Sequence, residues 1–283
     1  MGFIEALFLG LVQGLTEFLP ISSSAHLRIV GAFLPGARDP GATFTAITQL
    51  GTETAVILYF RKDIARIIGR WFWHFRSSKG SHALAIPKDD PDVRLGWLVI
   101  IVTVPIGIVG FLLQDTIRTT FRSLWLIAIV LIVFGIILGL ADLLGKRVRP
   151  LEEMTYGHGI LIGVAQVLSL IPGVSRSGST MTMGLALGYT RPAAARYGFL
   201  MAVPAVFISG LYELYHSFSE PKGVYGYAET LVATVVALVV GYAVIAFLMR
   251  YIQTRSFLPF VIYRVLLGTA LIVLLSLGII QPL

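Results

Sequence analysis

Four stretches of this chain, residues 97–113, 123–141, 230–249 and 265–283, contain no Asp, Glu, Lys or Arg. Each is about as long as a helix must be to cross the ~30 Å hydrocarbon layer of a bilayer. Residues 43–60 form a fifth such stretch, interrupted by Glu53, and 197–212 a sixth between Arg196 and Glu213. Pro105 and Pro204 fall inside two of them, where a proline frees a carbonyl and kinks a helix. Composition agrees: 56% of the 283 residues are hydrophobic, 13% are charged, and the mean hydropathy is +0.84. A soluble domain carries about a quarter charged residues. A soluble enzyme, a disordered chain and a nucleic-acid binder are excluded together. The net charge of +7 therefore reads as topology signal and headgroup contact. With no Cys there is no disulfide, thiol nucleophile or Cys-ligated metal. The chain is apolar from Gly2 and its first basic residue is Arg28, so no cleavable signal is expected.

Other apolar stretches are too short to span. Residues 6–16 and 18–27 flank Glu17 and break at Pro20; residues 156–171 stop at Pro172 and resume over 177–190. Short apolar pieces broken by Pro and Gly read as re-entrant hairpins, whose bare backbone is tolerable only beside a polar cavity. The two broken stretches resemble each other. Residues 10–22 align with 163–175, matching Gly10 with Gly163, Gln13 with Gln166, Pro20 with Pro172 and Ser22 with Ser175. Three spans follow each hairpin, an odd number of crossings, so the second half is inverted relative to the first. The expected fold is an all-α integral membrane protein of two inverted-topology repeats, six transmembrane helices plus two re-entrant helix hairpins. The first repeat (1–150) holds a hairpin at 2–35 and spans 43–60, 95–113 and 123–141. The second (151–283) holds a hairpin at 156–190 and spans 192–213, 229–249 and 259–281. The site of such a repeat is expected at the midplane between the halves.

Loop charge orients this layout. Loops 61–94, 146–149, 191–196 and 250–255 carry fifteen Lys and Arg, against four (Arg38, Arg118, Arg122 and Lys222) on the opposite side. The richer side is expected in the cytoplasm, with both termini and the mouth of the first hairpin outside a cell membrane. Segment 76–92 reads as a polar cytoplasmic loop.

Arg28, Arg176 and Arg264 are left over. Arg176 lies in Pro172-Gly-Val-Ser-Arg-Ser-Gly-Ser-Thr180, at the break of the second hairpin. A guanidinium at that depth costs about 3 kcal/mol or more unless an anion or a cavity compensates it. Ser175, Ser177, Ser179 and Thr180 surround it, Gly173 and Gly178 allow close backbone approach, and a helix is expected to start there. Hydroxyls, a five-donor fork and a helix N-terminus together make an oxyanion site, best suited to phosphate.

The first hairpin brings the reactive groups. Glu17 follows Gln13 by four residues, so both lie on one helical face. Ser22, Ser23, Ser24 and His26 come just after Pro20. Carboxylate, hydroxyl and imidazole at membrane depth suggest proton transfer with nucleophilic attack. Glu17 can hold Mg2+ or Ca2+ through substrate phosphates, with water completing the shell. A second carboxylate is not expected beside it, because Glu53 lies in mid-span elsewhere. No HExxH, His cluster or Gly-rich nucleotide loop occurs.

Gln13-x-x-x-Glu17 followed by Phe-Leu-Pro-Ile-Ser-Ser-Ser-Ala-His26, with Pro172-Gly-x-Ser-Arg-Ser-x-x-Thr180, resembles the undecaprenyl-diphosphate phosphatases of the bacitracin-resistance type. The resemblance covers essentially the whole chain, including Gln49-Leu-Gly, Phe257-Leu-Pro-Phe and Tyr263-Arg264. Gln13 is the Gln form of a position that is Glu or Gln in that family; Ser24-Ala25 departs from its common Thr-Gly. The resemblance implies hydrolysis of the terminal phosphate of a membrane-borne polyprenyl diphosphate, recycling the lipid carrier of cell-wall synthesis, in a pocket that faces outward. Ser23, Glu17, His26 and Arg176 are then the catalytic candidates, and Gln13, Ser22, Gln49, Gly173, Ser175, Ser177 and Thr180 the substrate contacts. Ser23 is expected to attack in line, with Glu17 or His26 as base; His26 as nucleophile, or as activator of water, stays open. The partners expected are the lipid substrate and the bilayer, with no nucleic acid, and with monomer or oligomer both allowed. The competing reading is a flippase or anion transporter, which needs Arg176 but no ordered Ser–His pair.

Overall fold

The computed structural model describes residues 2–34, 39–77, 87, 89–219 and 224–282. Arg38, Lys79, Lys88 and Lys222 lie outside the described residues, as does most of segment 76–92. Among the described residues twelve α-helices carry the regular structure. They are α1 (Gly2–Thr16), α2 (Ser23–Phe33), α3 (Gly41–Tyr59), α4 (Arg61–Ser77), α5 (Pro91–Leu112), α6 (Gln114–Arg118), α7 (Leu124–Leu144), α8 (Tyr156–Val167), α9 (Arg176–Ala186), α10 (Arg191–Ser217), α11 (Tyr227–Tyr251) and α12 (Leu258–Ser276).

Local chemistry sets these boundaries. Ser22, Asp90, Thr155, Ser175 and Thr190 cap α2, α5, α8, α9 and α10 through their side-chain oxygens, and Pro91 opens α5 where its missing N–H costs nothing. Helices α5, α7, α10, α11 and α12 are long and apolar enough to cross a membrane; α1 and the apolar stretch from Tyr156 to Leu170 are shorter. Helix α3, expected as a span, has the length but not the hydropathy. Its Thr48, Thr52 and Glu53 are buried between neighbours rather than offered to lipid. Pro105 and Pro204 both lie inside continuous helices.

Packing places the two short pairs inside the bundle. Helix α1 rests on α11, α11 on α3, α3 on α10, and α10 on α9; α5 covers α8, and α7 lies between α12 and α9. Gly10 and Gly14 let α1 press onto Ala233, Ala237 and Val240 of α11, where any side chain would clash. The main core gathers Phe18, Phe60, Tyr197, Phe199, Met181 and Met201 beneath the tips of both pairs. Outward positions such as Ile129, Val133, Val235, Val239 and Val273 are exposed and apolar. A bilayer is the solvent that such a surface requires.

Candidate active site

The turns joining α1 to α2 and α8 to α9 meet in the interior, and their local geometry matches. Ser22 and Ser175 both have positive φ, 73° and 72°, a conformation that non-glycine residues adopt only where surrounding contacts enforce it. Each Ser caps the helix it precedes: Ser22 Oγ accepts from the Ala25 N–H at 3.4 Å and Ser175 Oγ from the Gly178 N–H at 3.1 Å. Each hydroxyl also pairs with the one two residues on, Ser24 at 3.2 Å and Ser177 at 3.0 Å. The first residues of α2 and α9 are therefore Ser23 and Arg176, and the free N–H groups of both first turns point toward the meeting place.

Bonds across the two turns hold them together. The Gly173 N–H donates to Ser22 Oγ at 3.0 Å and Ser177 Oγ–H donates to the Leu19 carbonyl at 3.1 Å. Behind them lies Arg264 of α12, fully buried. Its Nη1 donates to the carbonyls of Pro20 and Val174 at 3.1 and 3.2 Å, its Nη2 to Gly173 at 2.7 Å, and its Nε to Leu131 of α7 at 3.2 Å. One guanidinium thus bridges the backbones of both turns.

Glu17 is the hub of the front side. Its Oε2 accepts from Ser23 Oγ–H at 2.5 Å and from Gln13 Nε2 at 2.6 Å, and its Oε1 is bound by Arg176 Nη2. The same Nη2 lies 2.6 Å from Glu53 Oε1. This corrects the sequence-based expectation that Glu53 stands elsewhere. Helix α3 packs against α1 and α2, so mid-helix Glu53 reaches the site and two buried carboxylates share one guanidinium. Among the described residues, Gln13 Oε1 and Glu53 Oε2 find no hydrogen-bond partner, though both are buried.

His26 is turned away from Ser23. Its Nδ1 lies 2.7 Å from the Ser22 carbonyl oxygen, which can only accept, so Nδ1 carries the proton. Its Nε2 faces the Tyr263 hydroxyl at 2.6 Å, with the two rings stacked.

A cavity of about 620 Å³ opens in front of this cluster. Glu17, Ser22, Ser23, Ser24, Gln49, Ser175 and Arg176 line its polar end; Val104, Ile108, Phe111, Val206 and Ile208 of α5 and α10 line an apolar wall; Arg118, Arg122 and Glu213 mark the far rim. At that rim Arg118 Nη2 holds Glu213 at 2.8 Å, and Asp39 is held by Arg122. Burial pushes the Asp39 carboxyl up, but the bond and charge of Arg122, the Gly41 N–H and the charge of Arg28 together outweigh this and keep it below its ordinary value. Arg28, the remaining unassigned arginine, lies 3.4 Å from the same aspartate and serves the rim.

Of the residues singled out from sequence, Glu17, Ser22, Ser23, Gln49, Ser175 and Arg176 face the cavity, and Gln13 touches Glu17 from behind. Gly173 and Ser177 join the turns. The Thr180 hydroxyl bonds back to the Arg176 carbonyl at 3.0 Å, and the side chain packs against Gly198 of α10. His26 stands one layer behind, and Arg264, Tyr263 and Glu53 complete the cluster. Glu53 carried a signal that could have found it, an ionisable residue in the middle of an apolar helix.

Fold and site define a class: a multi-pass membrane protein enclosing a chamber of hydroxyls, carboxylates and a guanidinium. Within that class the chain belongs to the bacitracin resistance protein BacA family, whose model matches residues 6–270. It is 63% identical over 283 residues to the undecaprenyl-diphosphatase of Micrococcus luteus, covering 99% of this chain and 100% of that one. It is 64% identical over 278 residues to that of Clavibacter michiganensis, covering 98% of each. It is 53% identical to undecaprenyl-diphosphatase 2 of Agrobacterium fabrum, covering 99% of this chain and 98% of that one.

Proposed function

We propose that this protein hydrolyses undecaprenyl diphosphate to undecaprenyl phosphate and phosphate, recycling the lipid carrier of cell-wall synthesis and conferring bacitracin resistance. The observation that carries the reaction chemistry is the chain of contacts Ser23 Oγ–Glu17–Arg176 at the polar end of the cavity. The lipid tail lies along the apolar wall of α5 and α10, and the diphosphate lies over the N-termini of α2 and α9. Arg176 and the first-turn amides neutralise charge on the transferring phosphoryl, a reaction governed mainly by position and electrostatics.

Glu17 takes the Ser23 proton while Oγ attacks the terminal phosphorus. The bond from that phosphorus to the bridging oxygen breaks, and undecaprenyl phosphate leaves with the proton returned by Glu17. Water, deprotonated by Glu17, then attacks the phosphoserine; phosphate leaves and Ser23 regains its proton. The geometry supports Glu17 over His26 as base, because both nitrogens of His26 are engaged by Ser22 and Tyr263. His26 orients the turn that bears Ser23.

A divalent cation, Mg2+ or Ca2+, suits the oxygen-rich front of the site. Just behind Glu17, Gln13 Oε1 and Glu53 Oε2 lack partners among the described residues, and Glu17 and Glu53 share the single guanidinium of Arg176. No group of three or more His, Cys, Asp or Glu gathers among the described residues, so such an ion would be shared with substrate phosphates. It would neutralise charge on the diphosphate.

The proposed membrane arrangement has α3 as a sixth span, α1–α2 and α8–α9 as re-entrant hairpins, and halves 1–150 and 151–283 as inverted repeats. The matched φ angles and caps of Ser22 and Ser175 support it. The cavity runs toward Arg118 and Glu213, on the side that loop charge assigns to the exterior. Purified protein in detergent with undecaprenyl diphosphate tests the function. Release of phosphate, a trapped phosphoserine at Ser23, and loss of turnover in Ser23→Ala are expected. Retained turnover in Ser23→Ala with none in His26→Ala would overturn the serine mechanism, and no phosphate release at all would favour a transporter.

A further inference from the structure

Helix α4 has no part in the site, and its sequence, RKDIARIIGRWFWHFRS, carries two apolar stripes. One stripe, Ile64, Ile67 and Trp71, faces the protein: Ile64 and Ile67 join the main core and Trp71 packs edge-on to Trp97 of α5 at 5.4 Å. The other comprises Ala65, Ile68, Gly69, Phe72 and Trp73, spaced i, i+3, i+4, i+7 and i+8, which is one continuous helical face. It lies outward. Ile68, Phe72 and Trp73 are 55%, 66% and 58% exposed, and among the described residues nothing stands within 4 Å of a Cβ built on Gly69.

The neighbours of α4 locate it. It begins directly after α3 ends, and the Ile64 N–H still bonds to the Phe60 carbonyl at 2.9 Å. Arg66 Nε reaches Asp92 at 2.9 Å and Arg70 Nη1 reaches Asp90 at 2.6 Å, so α4 is tied alongside the first turn of α5. That turn is where a long apolar helix begins, the level at which a bilayer gives way to water. Arg61 and Lys62 are exposed at the start of α4, and Arg66 and Arg70 flank the outward stripe. Exposed aromatics and aliphatics edged by cations, at the end of a span, match a helix lying in the lipid interface.

We propose that α4 is an interfacial helix. Its outward stripe seats Ile68, Phe72 and Trp73 just below the headgroups of the adjoining leaflet, continuing the lipid-facing belt of α5, and Arg61 and Lys62 meet anionic headgroups. The inference rests on membrane residence and not on the proposed hydrolysis. The chain contains no Cys, so single substitutions Ile68→Cys, Phe72→Cys, Trp73→Cys and Lys62→Cys each accept one nitroxide label on the full-length protein. The labelled proteins go into nanodiscs of phosphatidylcholine, with or without phosphatidylglycerol, and collisions with oxygen and with a water-soluble nickel chelate are compared. Labels at 68, 72 and 73 are expected to favour oxygen several-fold more than the label at 62, and phosphatidylglycerol is expected to lower their nickel access further. Equal nickel access at all four positions would overturn the proposal, as would nickel access unaffected by phosphatidylglycerol for its headgroup part. Dipolar broadening that vanishes on dilution with unlabelled protein would also overturn it, by showing a second copy on this face. Three outward positions and an unchanged melting temperature guard against a misfolded variant.

Discussion

Replacement of Arg264 by Lys tests whether one buried side chain sets the geometry of the whole site. Arg264 never faces the cavity, but its four donated bonds end on Pro20 of one turn, Gly173 and Val174 of the other, and Leu131 of α7. Lysine keeps the charge and loses the fork: one nitrogen cannot span carbonyls that approach a guanidinium from three sides. If one or two of the four bonds are lost, at about 1.5–3 kcal/mol for each bond to a charged group, stability falls by about 1.5–6 kcal/mol. The functional loss comes from displacement of Ser23 relative to Arg176, and a shift of about 1 Å costs on the order of 100-fold in rate. The assay is phosphate release from undecaprenyl diphosphate in detergent, with thermal unfolding followed by tryptophan fluorescence. Arg264→Lys is expected to lower kcat steeply together with the melting temperature, and Arg264→Met, which removes all four donated bonds, to lower both further. Wild-type kcat and melting temperature in Arg264→Lys would refute the bridging argument and leave only a requirement for charge.

Three further outcomes follow from the site. Removing divalent ions with EDTA should stop phosphate release, and added Mg2+ or Ca2+ should restore it; full activity in EDTA would remove the cation from the mechanism. Glu53→Gln should raise the ion concentration for half-maximal rate by about tenfold, equivalent to ~1.4 kcal/mol of lost affinity, and an unmoved titration curve would reduce Glu53 to holding Arg176. Tyr263→Phe removes one neutral hydrogen bond to His26, worth about 1 kcal/mol, so its effect on kcat should be no more than several-fold; total loss of activity would place Tyr263 in the chemistry itself.

Much of the site was legible in the sequence because its parts are local. The spacing of Gln13 and Glu17 puts them on one helical face, and both turns advertise themselves by Pro and by hydroxyl runs. The Ser22 and Ser175 correspondence, read from a thirteen-residue alignment, reappears as shared backbone angles. Helix α4 enters the sequence reading only through its loop charge, because its charges hide two apolar stripes that only helical periodicity separates. Glu53 is not tied to the first hairpin by sequence because it lies about thirty residues beyond His26, in a helix whose packing partners no local pattern names.

Sequence alone determined the solvent and the chemistry. Uncharged runs of span length demand hydrocarbon, and an arginine among hydroxyls at the same depth demands an anion, because transfer free energies belong to residues before any fold exists. The tertiary structure decided which charges share which partner. That Arg176 holds Glu17 and Glu53 together, that Ser23 rather than His26 faces Glu17, and that Arg264 binds the two turns by their carbonyls are outcomes of helix packing. Such choices are made between groups far apart in the chain, over distances of a few ångströms, and are set by which glycine-lined helix surfaces can approach.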